Sequence, residues 1–454
     1  MFGPSSRVAV LDLTHGGAVI ARHFLKIAGT VAAVDVYGTL SPESLRDLES
    51  EGIKTSKNPM NSLDFDMIVA PVHLDINYPM LVKAAKYKIP IISHHAAVGK
   101  ILKNYGLQNK TIIEITGTKA KTSTSILLAG ILSRKKNVVS HTSRGLEDWS
   151  TGKVIKKGLS ITPASVLTAI DEVLFAELDP NVYIFEISLG GTGSADIGVI
   201  TTIANDYKIA NNTGLASDAK RQMILNAKPG STLVINNDAL RFFGACRRDV
   251  KVVSFSDSID ASCNVYYEEI NSKGGTIAYF LDGKHGRIKV YEASDYDIIS
   301  YKTAFVCATA VALAMGVEAS NIERSLRDFK GAEGRMKKIS LEGRTLIDNS
   351  NSGMDIRSAE KALSFSQAQG GKIIMVLGEE AKEVCEGLDP AGVERFIQKH
   401  INELSDLILV GERMKPLVRE KKIHYANDLT SAIELAKELS REKYIILSCV
   451  KCFR

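Results

Sequence analysis

Long uninterrupted apolar runs are missing from this chain of 454 residues. The longest apolar helical stretch, residues 304–317, falls short of the roughly 20 residues that span a bilayer and reads as a core helix. Residues 1–7 carry no secretory apolar segment, so neither a signal peptide nor a membrane anchor is expected. Cysteine is sparse: Cys246, Cys263, Cys307, Cys385, Cys449 and Cys452 are scattered, which fits a reducing cytoplasm and not a disulfide framework. Charge of one sign is not in excess either. Lys+Arg 57 against Asp+Glu 52 leaves +5 without long basic runs, which argues against a protein that coats nucleic acid and permits an anionic small-molecule partner. Short repeats are absent. With 45% hydrophobic and 24% charged residues the chain is neither disordered nor fibrous, and its length predicts two or three domains.

What is present is strand and helix alternation in three series, the pattern of α/β domains built on parallel sheets. Residues 1–105 place the strands VAVLDL, VAAVDV, DMIVAP and IPIIS between amphipathic helices, the first at 18–27. The turn Asp12-Leu-Thr-His-Gly-Gly17 precedes that helix, and Asp35 ends the second strand. This resembles a dinucleotide-binding turn, but the full glycine spacing is missing, so a Rossmann-like ligand-binding domain is the expectation. Residues 106–333 form a larger central α/β series, with TIIEIT, a helix at 125–132, strands at 182–187, 198–204, 231–236 and 251–255, hairpins at 264–293 and helices at 301–315 and 321–329. Residues 334–454 alternate once more through KIIMVLG, DLILVG and YIILSC.

Between TIIEIT and its helix runs Thr116-Gly-Thr-Lys-Ala-Lys-Thr-Ser123. Successive backbone N–H groups and a helix N-terminus at such a turn can cradle a polyphosphate, with Lys121 reaching the β/γ-phosphates and the Thr122 hydroxyl on Mg²⁺. Ile115 and Ala120 stand where the strict pattern has glycine, and an ordinary strand-to-helix turn with two surface lysines is the alternative. Glu186 closes the strand VYIFEI, where parallel sheets collect their ligands. Its carboxylate suits a metal–phosphate complex, or a surface lysine.

Taken together these motifs resemble the Mur ligase family of ATP-dependent acid ligases over nearly the whole chain. The family loop is similar to Thr116 to Thr122, its E-x-S strand end to Glu186-Ile-Ser188, and its carbamylated lysine to Lys220 in SDAKRQMI. Its interdomain signature is similar to Gly334-Arg335-Met336, and its C-terminal aspartate to Asp348. The resemblance implies a Rossmann-like N-terminal domain, a central P-loop ATPase domain and a C-terminal Rossmann-like lid. It implies ATP held by Gly117, Thr118, Lys119, Ala120, Lys121, Thr122, Ser123, Arg335 and Asp348, and Mg²⁺ held by Thr122, Glu186 and Lys220, with Lys121, Glu186 and Lys220 catalytic. The activity implied is conversion of a carboxylate to an acyl phosphate that a nucleophile then displaces.

Two departures stand out. In Asn205-Asp-Tyr-Lys-Ile209, Tyr207 occupies the place of a family metal-binding histidine, with Asp206 as a substitute ligand; and an adenine-holding HNxxN element is replaced by SYKTA at 300–304. Within the family, the Leu13-Thr-His-Gly-Gly17 turn and the overall likeness are most similar to the branch acting on a nickel seco-tetrapyrrole. That implies propionate activation and ring closure by a tethered carbon, with His15, Gly16 and Gly17 as substrate contacts and Arg144 and Lys208 as further candidates. Two rival readings stay open: an amide-forming peptide ligase of pseudomurein type, whose amino-acid clamp could involve Lys382 or Arg413, and a non-catalytic nucleotide- and tetrapyrrole-binding carrier. His94-His95 reads as polar turn material rather than a nickel contact, Cys449-Val-Lys-Cys452 lacks the second pair of a zinc site, and Gly190-Gly191-Thr-Gly193 is either a substrate approach or a flexible turn.

Overall fold

A computed structural model of the chain describes residues 5–204, 206–244, 246–380 and 387–452; Asn205, Lys382 and Cys385 lie outside them. The chain divides into two compact units, the first built mainly from residues 1–268 and the second mainly from 323–454.

The first unit opens with a five-stranded parallel sheet in the spatial order Lys54–Ser56, Thr30–Val34, Arg7–Leu11, Met67–Ala70, Ile91–Ser93. The central strand is an unbroken apolar run because helices cover both faces: Val8, Ala9, Val10 and Leu11 are all fully buried. The intervening helices begin where local chemistry demands. Ser41 accepts the Ser44 N–H at 3.1 Å with Pro42 at the first helical position, and Ser93 likewise accepts from Ala96.

A second sheet centres on Thr111–Thr116, flanked in parallel by Val182–Glu186 and Ile197–Ile200. Beyond these lie Val138–Thr142 on one side and Thr232–Asn236 and Lys251–Ser256 on the other. Gly145–Asp148 and Lys153–Lys156 add two antiparallel edge strands. These edge strands, Val138–Thr142 and the helix Ala164–Phe175 have no counterpart in the sequence expectations, because SHT and GLED lack the apolar runs that mark a strand. The helix expected at 125–132 starts four residues earlier, as Lys121–Leu132. One apolar core runs from Val8 and Phe24 through Val98 and Ile101 to Leu167, Ile170 and Phe185, so the two sheets share packing in a single unit.

The second unit carries a six-stranded sheet in the order Lys337–Leu341, Arg344–Asp348, Ile445–Lys451, Ile373–Glu379, Asp406–Val410, Ile423–Ala426, parallel except for its first pair. Along Ile373–Glu379 the side chains alternate between two cores: Ile373, Met375 and Leu377 enter one, Ile374 and Val376 the other. Cys449 and Cys452 fall into opposite cores by the same alternation, and burial pushes the Cys449 thiol up to about 12, so the CxxC spacing joins no pair here. Among the described residues no helix is long and apolar enough to cross a membrane.

Candidate phosphate and metal site

The carboxyl ends of three adjacent parallel strands bring Thr116, Glu186 and Ile200 to one edge. The loop that leaves Thr116 is pinned against the neighbouring strand end. Gly117 has φ +145, and a Cβ there would lie 2.0 Å from Thr201 Oγ1, so no larger residue fits. The Thr118 N–H donates to the Thr202 carbonyl at 2.7 Å, and the Thr201 hydroxyl donates to Lys119 O at 2.6 Å. Ala120 then takes the left-handed conformation (φ 66, ψ 0) immediately before the helix Lys121–Leu132. The loop thus keeps the shape of a glycine turn although the residue is alanine. Ala120→Gly is expected to raise stability by roughly 0.5–1 kcal/mol, because the relief of left-handed strain exceeds the entropy lost by glycine. Urea unfolding of the two proteins measures it.

The loop suits an anion. Thr118 Oγ1 is buried without a hydrogen-bond partner, Lys121 Nζ bends back to the Gly117 carbonyl at 3.0 Å, and the helix N-terminus opens at the same place. Beside it Glu186 is only 2% exposed. One of its oxygens accepts the Thr122 hydroxyl at 3.0 Å and the other the Ser143 N–H at 3.1 Å. Ser143 Oγ is 3.2 Å from Thr122 Oγ1, so three oxygen-bearing side chains converge, the donor type that Mg²⁺ selects. Ser143 escaped the sequence reading, since the strand it follows, Val138–Thr142, was not recognised.

Lys220 sits on the helix Ala216–Leu225, 1% exposed. Burial, reinforced by the nearby Lys121 charge, pulls its ammonium down to about 8. Its Nζ donates to Ala216 O at 3.3 Å and lies 5.0 Å from the centre of the Tyr207 ring, so Tyr207 lies against the lysine. Asp206 does not stand free as a metal ligand: it accepts the Ser217 N–H at 2.9 Å and the Ser217 hydroxyl, fixing the start of the Lys220 helix.

The glycine run 190–193 is demanded by packing. A Cβ on Gly191 would lie 2.6 Å from Met223 and 2.8 Å from Glu114 Oε2, and one on Gly193 2.7 Å from Asn226 O. Glu114, fully buried, accepts the Thr192 N–H at 2.7 Å and the Thr192 hydroxyl, yet burial pushes its carboxyl up to about 7. A raised folded-state pKa means the native protein holds a proton the unfolded chain releases, so stability declines from about pH 4.5 to 7 and stays lower above. Glu114→Gln is expected to gain on the order of 2 kcal/mol at pH 8 and little below pH 4.5. Urea midpoints at both pH values check this; equal effects at the two would contradict it.

In the N-terminal sheet, Asp12 is buried at the end of Arg7–Leu11 and accepts from the His15 backbone N–H at 3.2 Å. His15 Nδ1 is 2.7 Å and His73 Nε2 3.1 Å from Asp12 Oδ2. His73 is a site residue the sequence reading missed. Gly16 and Gly17 are required by close packing: added Cβ atoms would meet Ala164 Cβ at 2.4 Å and Asp12 O at 2.3 Å. Asp35 spends its carboxylate on the N–H groups of Thr39 and Leu40. His94 and His95 are not turn material. They open the helix His94–Leu102, buried, with Nε2 atoms 2.9 Å from Leu11 O and 2.8 Å from Ser188 O. Arg144 pairs with Glu147 at 3.1 Å, and Lys208 is exposed.

Within the second unit, Asp348 is 1% exposed and accepts the N–H groups of Gly334 (2.9 Å) and Ser350 (3.1 Å), tying Gly334-Arg335-Met336 to the end of its strand. Gly334 has φ +69, and a Cβ there would lie 2.1 Å from Ser350 O. Arg413 is bidentate to the buried Glu379, at 2.6 and 2.7 Å, and also donates to Leu388 O at 3.0 Å.

A family model described as coenzyme F430 synthetase CfbE, C-terminal domain, matches residues 338–452. Over 99% of both chains the protein is 47% identical to "Coenzyme F(430) synthetase" of Methanosarcina acetivorans. The fold is similar to the crystal structure of MurF from Acinetobacter baumannii, with TM-score 0.56, 15% identity and coverage of 86% of this chain and 89% of that one. It is also similar to a pseudomurein peptide ligase type C from Methanothermus fervidus, with TM-score 0.51, 17% identity and coverage of 98% and 97%, a likeness of fold alone. With near-half identity along its whole length and a Mur ligase fold, the chain belongs to the coenzyme F(430) synthetase family.

Proposed function

We propose that this ATP-dependent ligase activates a propionate side chain of a nickel seco-tetrapyrrole as an acyl phosphate and closes a carbocyclic ketone by C–C bond formation, giving coenzyme F(430). The observation that carries the reading is the buried Glu186 carboxylate, held by Thr122 of the loop helix and by Ser143, in a full-length relative of that synthetase. ATP with Mg²⁺, when bound, supplies the transferable phosphoryl group and the charge that neutralises it. The loop amides, Lys121 and the start of Lys121–Leu132 would position the phosphates, and Thr122 and Glu186 would hold the metal. Lys220, with its ammonium drawn down to about 8, is disposed to exist in part as the neutral amine that adds carbon dioxide, losing a proton to give a carbamate ligand. Bicarbonate should therefore restore turnover to protein stripped of carbon dioxide, and Lys220→Ala should lose that response.

A tethered carbon nucleophile needs no separate amine site, since well-placed intramolecular reactions reach effective molarities on the order of 10⁵ M. Arg413, a candidate clamp for an amino-acid carboxylate, already engages Glu379 through Nε and one terminal nitrogen. The test is an anoxic reaction of the protein with ATP, Mg²⁺ and the nickel seco-tetrapyrrole. Loss of one water from the tetrapyrrole without added amine, matched to ADP and phosphate, is the expected result. ADP formed only with an added amino acid would favour the peptide-ligase reading, and binding without ADP the carrier reading.

A further inference from the structure

In the N-terminal sheet the chain passes from Arg7–Leu11 first to one side, through Thr30–Val34, and later to the other, through Met67–Ala70. The carboxyl ends of the two strands on either side of such a reversal form a crevice where α/β sheets bind ligands. Asp12 and His15 follow the first of these strands and His73 the second. Asp12 Oδ2, His15 Nδ1 and His73 Nε2 lie within 4.8 Å of one another, and the two imidazoles meet edge to face with centroids 4.8 Å apart.

Three features set this cluster apart from an ordinary polar turn. The Asp12 side chain is 0% exposed, whereas those of His15 and His73 are 25% and 27% exposed, so the anion lies beneath and the imidazoles face the opening. Among the described residues the ion-pairing partners of Asp12 are imidazoles and not a lysine or arginine, and a buried carboxylate is costly unless a cation compensates it. The donor spacings of 2.7 and 3.1 Å are close to the roughly 3 Å between neighbouring ligands of an ion bound at about 2.1 Å. Two imidazoles and a carboxylate select late first-row metals over Mg²⁺ or Ca²⁺.

We propose that Asp12, His15 and His73 form a binding site for a late divalent transition metal of the nickel, cobalt or zinc type. The metal has two possible sources. A free ion would be held by all three side chains. The centre of a metallated macrocycle, already ringed by four nitrogens, would accept one imidazole axially, with Asp12 orienting that ring as carboxylates orient metal-bound histidines. This second source rests on the proposed function; the first does not.

Direct metal binding by the full-length, tag-free protein without ATP distinguishes the two. In one arm Ni²⁺ is dialysed against wild type, His73→Gln, His15→Gln and, as a surface control, His285→Gln, whose side chain is exposed. In the other arm the nickel seco-tetrapyrrole is titrated, and nickel X-ray absorption reports an added nitrogen ligand. Retention of about one free ion per chain, weakened about a hundredfold in the His15 and His73 variants and unchanged in the control, supports a site for the free ion. No retained ion but an added nitrogen ligand on the tetrapyrrole nickel, lost in His73→Gln or His15→Gln, supports the macrocycle. Failure of both arms, or binding indifferent to both substitutions, overturns the site. Normal ADP formation with failure of both arms overturns this inference alone; Ni²⁺ retention without ADP formation overturns the proposed function alone. Circular dichroism confirms that the variants fold, and Asp12→Asn, which tolerates the left-handed backbone at φ 65, gives a third variant with the same expectation.

Discussion

Replacing Glu186 by Gln is expected to reduce ADP formation at least about a thousandfold, on the scale of losing a preorganised electrostatic contact in a water-excluded site. The substitution is nearly isosteric. A glutamine carbonyl still accepts from Thr122 or from the Ser143 N–H, so the two contacts that fix the side chain at 3.0 and 3.1 Å are partly kept and folding should survive. What disappears is the negative charge beneath the loop, the group that would hold Mg²⁺ against the phosphates. Lys121→Ala should cause a loss of similar size by removing the positive charge that would neutralise the transferring group. Tetrapyrrole binding, measured by absorbance, should be almost unchanged in both. Turnover equal to wild type in either variant would remove this edge of the sheet from the reaction.

Acid should unfold the protein early. His94, His95 and His141 share one arrangement: Nε2 meets a backbone carbonyl (Leu11, Ser188 and Ser160) at 2.8–2.9 Å, and Nδ1 is buried without a partner. The neutral Nε2–H tautomer satisfies the carbonyl, and a second proton at Nδ1 would be buried with nothing to accept it. Burial accordingly pulls each imidazole down to about 4 from the ordinary 6.5. The unfolded chain then binds protons that the native chain refuses, so stability is retained above pH 6.5 and falls as pH drops from 6.5 to 4. Glu114 opposes this with one proton in the overlapping window, leaving a net uptake of about two protons near pH 5, or roughly 2–3 kcal/mol per pH unit. Urea midpoints followed from pH 7 to pH 4.5 should show that slope, and His141→Gln should lower it by close to one proton. A flat profile would mean that these rings titrate normally.

His95 also explains why the first two sheets behave as one body. Its bond to Ser188 O joins the helix His94–Leu102 to the loop just past Glu186, and Gly99 packs so closely on Thr192 that a Cβ would lie 2.1 Å from its carbonyl. Nothing within the segment IPIISHH announces that contact, and a histidine pair after a strand is equally good turn chemistry. The same holds for the glycine run 190–193, which reads as flexibility yet is fixed by Met223, Glu114 and Asn226.

The strand–loop–helix at Thr116 to Ser123, the strand-end Glu186 and the alternation of three series were legible because each is local. An apolar run, a turn and a helix start depend on residues a few positions apart, and Ala120 accepts the left-handed conformation because the surrounding loop is pinned on both sides. Whether Glu186 meets Thr122 and Ser143, whether Lys220 lies near Lys121, and whether His73 reaches Asp12 depend on partners dozens of residues away. Those contacts follow from the order of strands in a sheet, which hydrophobic periodicity does not encode. The sequence by itself therefore determined most of the strands and helices, the strand–loop–helix at Thr116 to Ser123 and the family. Only the tertiary structure decided which buried charges share an edge, because burial and proximity are properties of the assembled sheets.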